Sequence, residues 1–522
     1  MAHRVGVVPA VVAIACALVA TAPAHAAKSC DEPGAGWERA TPAEAGMDAS
    51  GLQDAMDYGT SQLAFAVRVY RNGCLVAEDD LAHLNRNSQY ESWSMAKSVT
   101  SMVFGRAMTL GLISPDDPVG ALVPEADLEH GGITMRHLLT MTSGLRWNGF
   151  RDYNIFTMPD RVRDALTLDV VHPPGTYYEY AQSAVSLLAE AVERAVGMDF
   201  EAWAKRELTG RLGIRDDSWF WVRDRVGNAG GFYGVNMRPD DFGRLGELLR
   251  RKGVWRGERL LSRSYMSGAL SPTETNGCYG WLIWLNNGVP CIGARITDRP
   301  VDDERSFPDL PADIYRFSGL FGQLVTVFPS QDIVVVRTGE DPNLVFSGGQ
   351  NWEHELYRRV LGAVTDEEIR PPGEPQRFEP SRENADAGFQ DALREPDQYS
   401  KGVAQDPLPP AGPARARAAQ PLVRTRRAGR RGIVAVQVSC PERIAGREAQ
   451  RCTGRANLDG ARRALRYDAA PGHTAVLRFR LSLRRLRAIR VDGSDRLTLT
   501  VVNQDAAGGT AARATYTVRS PR

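Results

Sequence analysis

Residues 91–101 read Glu91-Ser92-Trp93-Ser94-Met95-Ala96-Lys97-Ser98-Val99-Thr100-Ser101, four serines around one lysine. Met95, Val99, Met102, Val103 and Ala107 recur at helical spacing, which predicts a helix over 94–110 ending before Gly111. Serine is an indifferent helix former. The cluster is therefore either ordinary capping and packing or the setting of a nucleophile. Ser94-Met95-Ala96-Lys97 has S-x-x-K spacing, and residues three apart share a helix face, so the Lys97 amine can lie beside the Ser94 hydroxyl. A hydroxyl is a weak nucleophile until a base takes its proton. A lysine serves as that base only when burial or nearby positive charge lowers its pKa. A four-residue pattern recurs by chance, so the surrounding chain has to decide.

Upstream, residues 64–80 alternate around Asn72-Gly73, the signal of a two-residue hairpin. From 111 to about 270 the pattern is mainly helical, as in 137–141, 184–196 and 240–251. Strand character returns in 278–285, 315–319, 324–328 and 333–338, and 352–361 closes as a helix. Strands at both ends of a helical middle imply one α/β unit carrying an inserted helical region.

The N-terminal residues form another class of segment. Arg4 supplies a positive start, 7–20 an apolar run, and Ala24-His25-Ala26 a small-residue cleavage site, so 1–26 reads as a secretory signal peptide. No other stretch approaches the ~20 apolar residues of a transmembrane helix. Cleavage removes Cys16 and leaves six cysteines, an even number that suggests disulfides in an exported protein. Pairing of sequence neighbours gives Cys30–Cys74, Cys278–Cys291 and Cys440–Cys452 among the possible connectivities.

Beyond the 27–365 unit, residues 366–420 carry Pro-Pro at 371–372 and 409–410 among mixed polar residues and read as a linker. Residues 421–522 alternate in 433–439, 475–483, 497–502 and 514–518, with turn-rich gaps, which suggests a small antiparallel, immunoglobulin-like sandwich. From Ala414 onward there are 24 Arg, no Lys and seven acidic residues, a formal +17 against −16 for the rest. That excess reflects genome composition, since the chain also overuses Ala and Gly, or it marks adhesion to an anionic cell-wall polymer. Nucleic acid is the poorer partner for an exported protein.

The nucleophile question is settled by a resemblance. Residues 92–98, then Gly111-Leu112-Ile113-Ser114-Pro115-Asp116-Asp117-Pro118, then 133–145 with His137-Leu138-Leu139 and Thr142-Ser143-Gly144, follow one another in family order. Pro174-Gly175-Thr176, Tyr180 and Leu187-Leu188 come next. Over about residues 40–362 the chain resembles the serine β-lactamase and penicillin-binding-protein superfamily, particularly its class C-like esterase and nylon-oligomer-hydrolase branch. The resemblance implies a β-lactamase-like fold, an antiparallel sheet flanked by helices with an inserted helical subdomain. It makes Ser94 the acylated nucleophile, Lys97 its base and Tyr180 the proton shuttle to the leaving group. Tyr177 and Tyr178 are nearby competitors for that last role.

Two departures from the family pattern bear on the substrate. Gln182 stands where class C enzymes have Asn in Y-x-N, and Phe317-Ser318-Gly319 stands where they have K-T-G. Ser318 and Gly319 would line the substrate, and the backbone N–H groups of Ser94 and Leu320 would form the oxyanion hole. Loss of the cation at 317 points to a neutral ester or amide unless Arg316 compensates. A D,D-peptidase or β-lactamase is the alternative within enzymes, and a catalytically silent cell-wall-binding protein is the alternative outside them. No metal or organic cofactor is implied: the histidines lack metal-ligand spacing, and there is no G-x-S-x-G or phosphate loop. His137 reads as a structural hydrogen-bonder, and Asp116-Asp117 as a turn and cap.

Overall fold

The computed structural model describes residues 27–147, 152, 157–293, 300–345, 351–381 and 384, and most of the chain from 420 onward. The signal-peptide reading of 1–26 lies outside the described residues. The central sheet has six strands in the order β2-β1-β6-β5-β4-β3, all antiparallel. These are β1 (Ala64–Arg71), β2 (Cys74–Glu78), β3 (Trp284–Leu285), β4 (Tyr315–Gly319), β5 (Gln323–Phe328) and β6 (Ile333–Gly339). The β1–β2 hairpin closes where expected, with Asn72 at φ 52° and Gly73 at φ 81°, the left-handed pair that suits an Asn-Gly turn.

Period-two alternation distributes the sheet between two apolar layers. Val325, Val327, Val334 and Val336 pack with helices α2 (Met95–Thr109), α3 (Gln182–Val196) and α4 (Pro239–Arg250). Leu324, Phe328, Ile333 and Val335 face the other way, onto α1 (Ala49–Ser61) and α5 (Trp352–Gly362). α4 lies close on the sheet because Gly246 has no side chain: a Cβ there would sit 2.7 Å from both Val325 and Val334. The N-terminal segment is pinned to the hairpin by the Cys30–Cys74 disulfide, and Cys278–Cys291 and Cys440–Cys452 are the other two bridges. All three are the sequence-local pairs.

Three expectations change. Of the strand expected over 278–285, only Trp284–Leu285 pairs with the sheet. The rest is irregular, with Leu282 at φ 57°, because its backbone bonds elsewhere: Leu282 N–H to Leu139 O, and Leu282 O from Ser98 Oγ. Residues 366–381, read as linker, run along the 27–365 unit: Asp366 and Glu367 pair with Arg71, and Gln376–Arg377 lie parallel to Gly288–Val289. Asn384, fully buried, accepts Tyr178 N–H on Oδ1 and donates to Thr275 O, each at 2.8 Å. Asn384→Ala removes the acceptor of the buried Tyr178 N–H and the donor to the half-buried Thr275 carbonyl, and we expect it to cost about 1–3 kcal/mol in chemical denaturation. An unchanged midpoint would mean that this contact does not hold the segment.

The third change concerns the C-terminal part. Among the described residues its strands form a three-stranded sheet (Gln420–Leu422, Ile433–Ser439, Thr474–Arg480), a five-stranded one and a two-stranded ribbon (Arg443–Ile444 with Arg447–Glu448). Val434, Val436, Phe479, Leu458, Tyr467 and Leu497 belong to one buried apolar cluster. Two features depart from the antiparallel sandwich expected here. Arg426–Arg427 pair parallel with Val518–Arg519, and Leu483–Asp492 is a helix where 483 was assigned to a strand. Ser482 caps that helix, and Leu486 and Ile489, three apart, enter the core, a spacing masked by the arginines between them. Among the described residues no helix is long and apolar enough to cross a membrane.

Candidate active site

Ser94 is the N-cap residue of α2, with φ −68° and ψ −8°. Every residue from Met95 to Ala107 is buried, so the helix runs through the middle of the molecule and its hydroxyls need partners. Ser92 Oγ donates to Trp93 O at 3.2 Å, Ser98 Oγ to Leu282 O at 2.6 Å, and Ser101 Oγ meets Tyr265 Oη at 2.9 Å. Ser94 is the serine of the four that faces the lysine: Lys97 Nζ donates to Ser94 Oγ at 2.8 Å. The ammonium also donates to Phe232 O at 3.3 Å and lies 4.6 Å from the centre of the Tyr180 ring.

Lys97 is 1% exposed. Burial drives its pKa down to about 7, against the opposing pull of the Asp152 carboxylate. At neutral pH roughly half of such a group is neutral and able to take a proton. The geometry and the proton affinity thus agree on a base beside a hydroxyl.

Of the three neighbouring tyrosines, Tyr180 is the one that Lys97 faces. Tyr177 stacks on His172 at 4.0 Å, and Tyr178 is buried edge-on to Tyr279. The Tyr180 ring is held between Tyr279 at 6.1 Å and Trp284 at 5.7 Å. Gln182, the first residue of α3, is 3% exposed, and its Oε1 has no hydrogen-bond partner among the described residues. A buried amide oxygen without a partner is costly unless a ligand supplies the donor.

β4 brings the remaining residues to the helix start. A Cβ on Gly319 would sit 2.2 Å from Ser92 O and 3.2 Å from Met95 N, so only glycine lets the strand end come this close. β3 pairs with Tyr315 and Arg316 alone, which leaves Phe317–Gly319 as an open edge beside the start of α2. Leu320 follows, 41% exposed, in a turn whose next two residues have left-handed φ, Phe321 at 63° and Gly322 at 75°. Gln323 Nε2 donates to Leu320 O and Phe321 O, and Arg337 Nη1 to Phe321 O and Gly322 O, so the turn is fixed from behind. Phe321 meets Trp93, itself at φ 48°, edge-on at 5.1 Å.

Alternation along β4 separates Arg316 from the site. Phe317 is fully buried in the helix-side core, and Arg316 leans to the other face, where it pairs with Glu353 at 3.1 Å and lies over Phe307. Ser318 shares the parity of Arg316, so its side chain leans away from the helix side. His137 is a cap: its Nδ1 accepts Thr134 N–H at 3.2 Å while Thr134 Oγ1 accepts from His137 N. Asp117 accepts Ser114 N–H, and Asp116 pairs with Arg136, a turn and cap as read.

Sequence reasoning missed Asp152, Glu91 and the Phe232 carbonyl. Glu91 accepts Trp93 N–H and Gly234 N–H, tying the residue before Ser94 to the loop that carries Phe232. Gly230-Gly231 and Gly234 around Phe232 were the available signal for that tight loop, and Gly231 and Gly234 both have positive φ. Asp152, one of four aspartates between 146 and 172, gave none.

A family model described as Beta-lactamase matches residues 52–355, more than half of the chain. The 6-aminohexanoate-dimer hydrolase of Paenarthrobacter ureafaciens is 26% identical over 225 residues, 40% of this chain and 57% of that protein. The monacolin J acid methylbutanoyltransferase of Aspergillus terreus is 27% identical over 149 residues, 24% of this chain and 36% of that protein. This chain therefore spans little more than half the length of the first of these relatives and about a third of the second. A solved class C β-lactamase from Rhodobacter sphaeroides aligns at 16% identity and TM-score 0.42, covering 60% of this chain and 98% of that one.

Proposed function

On the premise that this chain belongs to the beta-lactamase family, we propose that it is an exported serine hydrolase that cleaves a neutral ester or amide through an acyl-enzyme. The observation that carries the proposal is the 2.8 Å contact between Ser94 Oγ and a buried Lys97 whose pKa lies near its working range. In the first step Lys97 takes the Ser94 proton as Oγ attacks the carbonyl carbon. The N–H groups of Ser94 and Leu320 stabilise the resulting oxyanion, typically the largest electrostatic contribution in acyl transfer. Tyr180 passes a proton to the leaving group. Water then attacks the acyl-serine by the reverse sequence and frees the carboxylic acid.

The substrate class follows from the charges that the site lacks. With Phe317 in the core and Arg316 bound to Glu353 on the far face, neither offers a cation to a substrate carboxylate. Tyr180, Tyr279, Trp284, Trp93 and Phe321 supply an aromatic surround suited to apolar groups. The unpartnered Gln182 Oε1 suits a substrate N–H or O–H donor.

A panel of p-nitrophenyl esters, anilides and nitrocefin on the full-length protein tests the assignment. The esters are expected to turn over and nitrocefin to be poor by comparison. Nitrocefin turnover faster than every neutral ester would replace this reading by the β-lactamase one, and no turnover or labelling at all would favour the silent binding protein.

A further inference from the structure

Asp152 lies outside every segment that carries the family resemblance, and its carboxylate is buried inside the site. Both carboxylate oxygens accept Gln182 N–H at 3.0 Å, Oδ1 also accepts Ser183 N–H at 3.4 Å, and Oδ2 accepts Trp147 Nε1–H at 3.2 Å. These are the first N–H groups of α3, where unpaired donors and the helix dipole favour a negative charge. The helix begins two residues after Tyr180. Ala181, its N-cap residue, has no side chain that could cap it, and Asp152, 30 residues earlier in the chain, supplies the acceptor instead. Asp152 is also the charged group that acts on Lys97, and Lys97 the cation that acts on Asp152.

We propose that Asp152 is a positioning residue of the reaction, its carboxylate setting the charge of Lys97 and fixing, through the start of α3, where Tyr180 stands. The proposal rests on the acyl-enzyme reading. Among the described residues, other ionisable groups also pack around the pair. Tyr180 lies under the ammonium with Tyr279 and Tyr178 behind it. Arg161 and Tyr233 lie across Phe232, and Glu91 sits on the Gly234 side of the same loop. Asp152 is the carboxylate among them that opposes the desolvation of Lys97.

The sign of the effect follows. Burial lowers the Lys97 pKa and raises that of Asp152, and each charge resists the shift of the other. Asp152→Asn keeps an acceptor for the α3 N–H groups and removes the charge. Lys97 then loses its proton at lower pH and is a weaker base once neutral.

The test measures fluorophosphonate labelling of Ser94, and kcat/KM for a p-nitrophenyl ester, from pH 5 to 9 on full-length wild type, Asp152→Asn and Asp152→Ala. Wild-type rates are expected to rise through a limb near pH 7. In Asp152→Asn that limb is expected to move about one unit or more to lower pH, with a plateau several-fold lower. Asp152→Ala is expected to show the same shift and a lower melting temperature besides. A limb that stays in place in both variants overturns the proposal, even if rate and melting temperature fall, because a mere helix cap would do that. Wild-type protein that never labels at Ser94 overturns the acyl-enzyme reading itself, and this is seen before either variant is compared.

Discussion

Ser94→Ala is expected to abolish fluorophosphonate labelling and ester turnover, and Lys97→Met to slow both by about 10²–10⁴-fold while the protein stays folded. The first change removes the atom that the proposed mechanism acylates. The second keeps a flexible chain of similar length in the same buried channel and removes only the amine that meets Ser94 Oγ at 2.8 Å. Methionine adapts readily to an existing cavity, and it relieves the desolvation that holds the Lys97 pKa far below the usual lysine value. A melting curve close to wild type is therefore expected alongside the lost rate. Labelling of Lys97→Met at the wild-type rate would assign the base to another group and remove the main support for the mechanism.

Gly319→Ala is the second large effect, and it acts through the backbone. Its φ of −124° is open to any residue, so the difficulty is space alone. The added methyl would meet Ser92 O at 2.2 Å, a backbone atom that cannot rotate aside. The end of β4 must move away from the start of α2, and the Leu320 N–H moves with it relative to Ser94. Displacing an oxyanion donor costs about 10²–10³ in kcat, and overpacking of this kind costs about 1–3 kcal/mol of stability. Gly362→Ala serves as control, since nothing lies within 4 Å of the Cβ it would add. A Gly319→Ala protein with wild-type kcat would mean that the Leu320 amide does not hold the oxyanion.

Much of this was local in the chain. The Asn72-Gly73 turn, the spacing of Met95, Val99 and Met102, and the alternation through 324–338 place the hairpin, α2 and the sheet layers within a residue or two. Those features depend on steric preferences and burial periods that a short segment already contains. Even the fate of Arg316 was half legible, because alternation puts it on the opposite face from Phe317. Its partner Glu353 was not, since it arrives from α5 beyond two further strands. The 278–285 segment misled for a related reason: the Leu282 backbone bonds to Ser98 Oγ and Leu139 O rather than to a strand ladder.

The sequence by itself determined the family, the order of its motifs and the identity of Ser94, Lys97 and Tyr180 as the group to test. Only the tertiary structure decided that Lys97 is buried enough to be a base, that Asp152 stands opposite it, and that the segment through Asn384 belongs to the same unit. Desolvation and charge pairing depend on what covers a side chain from every direction. Those covering groups come from loops and strands tens to hundreds of residues away, and no local period in the chain records them.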